Sequence, residues 1–193
     1  ISRCKRLVLL DLNNNYLRDS DMEILLPRLP NLRILLLAGN KDKGGYLTDR
    51  ACKVISRTCP DLQQLDIGYH RKISVSGVKR ILKDCPHLRV LHTSITPQIK
   101  DAKNLLCSTA PNLLRFDMEK SFNEAFYLEL IQSTGGRVVL DWWLAAGMFD
   151  IKKLSVDVQR KYRQRQDLLW EIDNVSADTK MINEWEGMFG KEM

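Results

Sequence analysis

Five times along the chain a leucine opens a six-residue run of one pattern: L-V-L-L-D-L from Leu7, L-R-I-L-L-L from Leu32, L-Q-Q-L-D-I from Leu62, L-R-V-L-H-T from Leu88 and L-L-R-F-D-M from Leu113. The starts lie 25, 30, 26 and 25 residues apart, the length of a unit made of one short strand and one helix. A second register runs with the first. Three residues before the anchors stand Cys4, Leu29, Cys59, Cys85 and Ala110, and seven before the later four stand Leu25, Ile55, Ile81 and Leu106, so a helical stripe precedes each strand. Pro30, Pro60, Pro86 and Pro111 lead into four of the five strands, where proline stops the helix and sets an extended entry. Units of this kind bury their apolar faces only against each other, so the expected fold is an α/β solenoid of short parallel strands alternating with helices. Leu35, Leu65, Leu91 and Phe116 are expected to stack as the central inward residues of successive coils.

The repeated C-P-x-L-x-x-L, present as C-P-D-L-Q-Q-L and C-P-H-L-R-V-L, resembles the cysteine-containing subtype of the leucine-rich repeat family, common in F-box substrate receptors. The resemblance covers about residues 4 to 121. It implies strands on a concave face and helices on a convex one. It also places Asn15 and Asn40 at the family's turn asparagine, with His70, Thr96 and Ser121 there in later coils.

Strand alternation points two rows of side chains onto the concave face. The first is Leu9, Ile34, Gln64, Val90 and Arg115; the second is Asp11, Leu36, Asp66, His92 and Asp117. Together they make the candidate binding surface, expected to expose an apolar area around Leu9, Ile34 and Leu36 beside acidic Asp11 and Asp66. Such a mixture suits a protein partner better than a nucleic-acid backbone.

The spacing of 30 marks an insertion, K-D-K-G-G-Y-L-T-D from Lys41 to Asp49, read either as a solvated loop or as a contact on the solenoid rim. After Ser121 the pattern weakens. A helix from Asn123 to Gln132 and G-G-R-V-V-L-D-W-W-L supply an irregular sixth coil, with Val138 falling 25 residues beyond Leu113. Residues 1–144 are therefore expected to form the repeat domain with its capping coil, and 145–193 a helical C-terminal extension. Within the extension, Ser155 caps a helix to about Asp173 carrying Val156, Tyr162, Leu169 and Ile172 among Arg160, Lys161, Arg163 and Arg165. The basic cluster is either a solvated face or a contact for an anionic partner, including a weak one with nucleic acid. Met181, Trp185, Met188 and Phe189 form a stripe at spacings of three and four, which docks on the repeats or enters a partner's groove.

Thirty basic against 24 acidic residues give a formal charge of +6, a mixed surface rather than a dedicated nucleic-acid arm. The odd count of five cysteines fits a reducing intracellular compartment, with no choice among cytoplasm, nucleus and mitochondrion. Cys4, Cys52, Cys59 and Cys85 read as packed thiols. No run of apolar residues is long enough to span a bilayer. The cysteines and His70, His87 and His92 offer no metal-ligand spacing, and no phosphate loop, dinucleotide fingerprint or nucleophile elbow occurs. No catalytic residue, metal or cofactor is assigned. The expected role is a protein-interaction or scaffold module. Alternatives are a structural subunit of a large nucleoprotein or mitochondrial assembly and, from the family resemblance, a substrate receptor of a ubiquitin ligase.

Overall fold

A computed structural model describes residues 4–94, 99–110, 112–118, 124–140 and 150–174, without the side chains at 99–100 and 168–174. Across them, β1 (Leu9–Asp11), β2 (Ile34–Leu36), β3 (Gln64–Ile67), β4 (Val90–Thr93), β5 (Arg115–Asp117) and β6 (Val139–Leu140) form one parallel sheet in chain order. Parallel neighbours cannot be joined by a tight turn, so each strand is followed by a helical crossover. These are α1 (Asp19–Leu25), α2 (Asp49–Thr58), α3 (Val75–Asp84), α4 (Ile99–Lys103) and α5 (Glu124–Ser133). The C-terminal helix α6 is Val156–Asn174. The architecture is the alternating strand and helix solenoid with a helical extension.

Register follows the repeat. Leu10, Leu35, Leu65, Leu91, Phe116 and Leu140 are paired residue to residue across the six strands. From Leu35 onward all are fully buried, as are the anchors Leu32, Leu62 and Leu113. Each such leucine contributes roughly 1.5–3 kcal/mol from burial. On the helix side Ile55, Ile81 and Leu106 are sealed in, with Leu29, Cys59, Cys85 and Ala110 beneath them. In the first helical segment the burial passes from Leu25 to Leu26, because a proline-containing 3-10 turn, Leu26–Arg28, replaces its last turn.

Adjacent coils are also locked at the helix starts. The Thr48 side chain accepts from Arg50 N–H and that of Ser74 from Ser76 N–H, so both act as caps. The carboxylate of Asp19 accepts from Thr48 N–H at 2.9 Å and Thr48 Oγ1 at 2.7 Å. Asp49 does the same to Ser74, at 2.7 and 2.6 Å.

The cysteines divide. Cys52, Cys59 and Cys85 are buried thiols, with burial pushing Cys52 and Cys85 up to about 12. Cys4 is exposed, contrary to expectation; it stands before β1, and the first described helix, α1, follows that strand.

The sixth coil is shifted from its expected register by one residue. Val139 pairs with Arg115 and Leu140 with Phe116, so Arg137 rather than Val138 occupies the anchor position. Its guanidinium donates to the carbonyls of Leu106 at 2.5 Å, Ala110 at 3.1 Å and Leu113 at 2.9 Å, bonding the turn that elsewhere buries a leucine. Gly135 and Gly136, both with positive φ, stand in place of the proline entry. Gly136 N–H donates to Ile131 O and Gly135 N–H to Gln132 O, the glycine-ended cap that closes many helices.

Helix α6 then packs on β6 and α5. A Cβ on Gly136 would lie 2.7 Å from Val158 O, so the bare glycine permits this close approach. The buried stripe is Leu154, Val158 and Tyr162, spaced four apart, whereas Val156 is 82% exposed. Of the apolar residues expected on this helix, Tyr162 is buried and Val156 is not, with Val158 joining Tyr162 on the docked face; the side chains of Leu169 and Ile172 lie outside the described residues. The expected domain boundary at 144–145 and the stripe Met181, Trp185, Met188 and Phe189 lie outside the described residues.

Candidate binding face

The two concave rows are brought together as registered ladders. Leu9 pairs in sequence with Ile34, Gln64, Val90 and Arg115, and Asp11 with Leu36, Asp66, His92 and Asp117. Exposure along them is uneven. Leu9 is 38% exposed and Asp11 is exposed; Leu36, Gln64, Asp66, His92 and Asp117 are half-buried; Ile34, Val90 and Arg115 are buried. The apolar area is thus smaller than expected, with Leu9 and Leu36 at its surface and Ile34 beneath. Strands in a sheet lie about 4.8 Å apart, so side chains on both flanks shield an interior position such as Ile34 or Val90 even on an open face.

The recurring aspartates have two different jobs. Asp11 Oδ1 accepts from Asn13 N–H at 2.9 Å and Asp66 Oδ1 from Gly68 N–H at 2.8 Å, each turning the chain away from its strand. Asp117 instead collects side chains. Its Oδ2 accepts from His92 Nδ1 at 2.5 Å and from Arg115 Nε at 2.8 Å, while its Oδ1 is buried without a hydrogen bond.

Charge states follow from these contacts. Burial opposes ionisation of Asp117, but the hydrogen bond and charge of His92 together with Arg115 outweigh it, and its pKa is lowered. Burial likewise opposes protonation of His92, yet its bond to Asp117 and the charges of Asp117 and Asp66 raise its pKa. Asp66 is raised, mainly by burial, with His92 and the Gly68 N–H acting against that rise. The late coils therefore present a pinned Asp66, His92, Asp117 and Arg115 cluster. The early coils present Leu9, Leu36 and Asp11.

An imidazole oriented by a carboxylate also occurs in nucleophilic catalysis, where its other nitrogen activates a hydroxyl or thiol. Among the described residues no serine, threonine or cysteine hydrogen-bonds to His92. Nor does any group of three or more His, Cys, Asp or Glu among them converge to hold a metal. No described helix is long and apolar enough to cross a membrane.

His70, expected at the turn-asparagine position, performs that position's task. Nδ1 accepts from Leu47 N–H at 3.1 Å and Nε2–H donates to Leu37 O at 2.6 Å; burial favours the neutral ring and lowers its pKa, outweighing the Leu37 bond, which acts to raise it. Asn15 serves its own turn, donating to Leu12 O and Asn13 O, and Asn40 accepts from the N–H groups of Asp42 and Lys43. The contact to the next coil is made by Asn13, which accepts from Ala38 N–H at 2.7 Å.

The basic cluster of α6 is partly neutralised. Arg160 and Lys161 both pair with Asp157, at 2.7 and 2.8 Å; Arg163 is exposed and Arg165 half-buried. Sequence reasoning missed Tyr16 and Tyr69, exposed on the edge that also carries Tyr46, because they do not occupy equivalent repeat positions.

No family model and no curated protein sequence matches the chain. Among solved structures it is similar to a chain of the crystal structure of the Rad7 and Elc1 complex in yeast. The TM-score is 0.52 and the identity 16%, over 64% of this chain and 31% of that one. The likeness is one of fold, and this chain spans under a third of the other's length. A second similar structure is the tropomodulin C-terminal domain of Caenorhabditis elegans, with a TM-score of 0.41 and 14% identity over 89% of each chain.

Proposed function

We propose that the chain is a non-enzymatic interaction module whose concave sheet face binds a partner protein. One observation carries this reading: two registered rows cross the coils and grade from half-exposed apolar side chains with an acid to a fixed ionic cluster. Leu9 and Leu36 supply area that gains from leaving water, and Asp11 and Asp66 set polarity beside it. The His92, Asp117 and Arg115 group is held by internal bonds, so its presentation costs little reorganisation on binding.

Of the narrower readings, the substrate receptor of a ubiquitin ligase is favoured over the subunit of a nucleoprotein or mitochondrial assembly. Two things support it: the C-P-D-L-Q-Q-L and C-P-H-L-R-V-L motifs, similar to the cysteine-containing repeats of F-box receptors, and the fold likeness to a chain crystallised in a Rad7 and Elc1 complex. The test is affinity purification of the Leu9→Glu, Leu36→Glu double variant from its native cells beside the parent. The proposal expects specific co-purifying proteins to be lost while the melting temperature holds. Retention of all of them removes the concave face from consideration, and ligase subunits missing from the parent's set remove the receptor reading alone.

A further inference from the structure

The edge of the solenoid at the carboxyl ends of β1 to β3 is a separate surface from the concave rows. Tyr16 is 58% exposed, Tyr46 48% and Tyr69 44%. They are contiguous. The rings of Tyr16 and Tyr46 sit 6.1 Å apart at 48°, and Gly45 N–H, next to Tyr46, donates to Tyr69 O at 2.8 Å. The insertion that carries Tyr46 is built rather than loose: Asn40 bridges to Gly44, Leu47 is buried, and a Cβ at Gly45 would meet the His70 ring at 2.0 Å. Tyr69 itself holds a φ of 62°, a left-handed conformation that disfavours bulky residues, and it keeps its ring at the surface there.

Basic residues flank the tyrosines in sequence. Lys41, Lys43, Arg71 and Lys72 are all exposed, and Lys43 Nζ reaches 3.4 Å from the Tyr16 hydroxyl. Asp42 is the exposed acid among them; the nearby carboxylates of Asp19 and Asp49 are occupied by Thr48 and Ser74. Tyrosine offers large contact area with little rotamer entropy to lose, and such residues dominate many interface energies.

We infer that this tyrosine and lysine edge is a second docking surface, and that its partner presents an acidic protein segment with interspersed apolar side chains. The net positive rim supplies the charge complementarity and the three rings the apolar contact. A nucleic-acid strand is disfavoured because Tyr16 and Tyr46 lean on each other instead of standing apart as base platforms. The inference does not rest on the concave reading.

The probe is a fluorescein-labelled peptide repeating Asp-Leu-Glu-Phe, followed by anisotropy on the full chain at low salt. Its counterpart with lysine at every acidic position and a single-stranded oligodeoxynucleotide serve as comparators. Preferential binding of the acidic peptide is expected, weakened about tenfold or more by Lys43→Glu with Lys72→Glu and by Tyr46→Ser. NMR shifts of the unsubstituted chain are expected to move at Tyr16, Tyr46 and Tyr69, which reads the site without any variant's folding. Absence of binding, equal or tighter binding of either comparator, or shifts confined to other surfaces overturns the inference.

Discussion

Leu65 occupies the middle of the sheet with Leu35 and Leu91 on its two flanks, and no part of it reaches water. Its truncation to alanine leaves a cavity that rigid neighbouring strands cannot fill, so denaturant unfolding of Leu65→Ala is expected to show a loss of about 2–5 kcal/mol. The histidines predict opposite responses to pH. His92 has a raised folded pKa, so its contribution is fully present below the unfolded value of about 6.5 and is lost as pH rises through the folded pKa. His70 has a lowered one, so folding prefers its neutral ring and stability falls as pH drops below that unfolded value. The two partly cancel in the parent. Melting temperatures across this window are expected to show the advantage of the parent over His92→Asn shrinking with rising pH, and its advantage over His70→Asn growing. A His92 signal titrating below an unstructured histidine would contradict the first. The positions of both rings were legible from the repeat. Their opposite pKa directions were not, because the burial that lowers His70 and the Asp117 carboxylate that raises His92 are supplied by other coils.

Strands and helices were legible because five copies of one pattern reinforce each other, and the ladder positions then follow by counting. The sixth coil broke that counting where its chemistry changed: Arg137 replaces an anchor leucine, and a glycine pair replaces the proline entry. Burial within the concave rows was likewise hidden, since the shielding of Ile34, Val90 and Arg115 comes from adjacent strands. Links between helices are set by aspartates that a pattern of apolar residues does not flag. Asp49 begins α2 yet bonds both the backbone and hydroxyl of Ser74, which caps α3. Asp49→Ala removes both bonds at a half-buried site, and chemical denaturation is expected to register a loss of about 1–3 kcal/mol. Hydrogen exchange should quicken first at the start of α3. A variant as stable as the parent would show that these bonds merely replace equivalent ones to water.

For the whole molecule, the end of the stack is closed by a helix from the extension rather than by the sixth coil alone. Tyr162 is fully buried against that coil, and Tyr162→Ala is expected to lower stability by about 3–5 kcal/mol in thermal or denaturant unfolding. A change below about 0.5 kcal/mol would mean that α6 contributes little to the stack and its docking is incidental. Stacking leaves one face of strands and one of helices, and the central claim is that the strand face meets a protein. A photoreactive amino acid placed at Leu36 and, separately, at exposed Lys53 on α2 compares the two faces in the native cell. The account predicts a discrete protein adduct from position 36, absent from position 53 and abolished by Leu9→Glu in the same chain. Adducts from position 53 alone, with none from position 36, would contradict it.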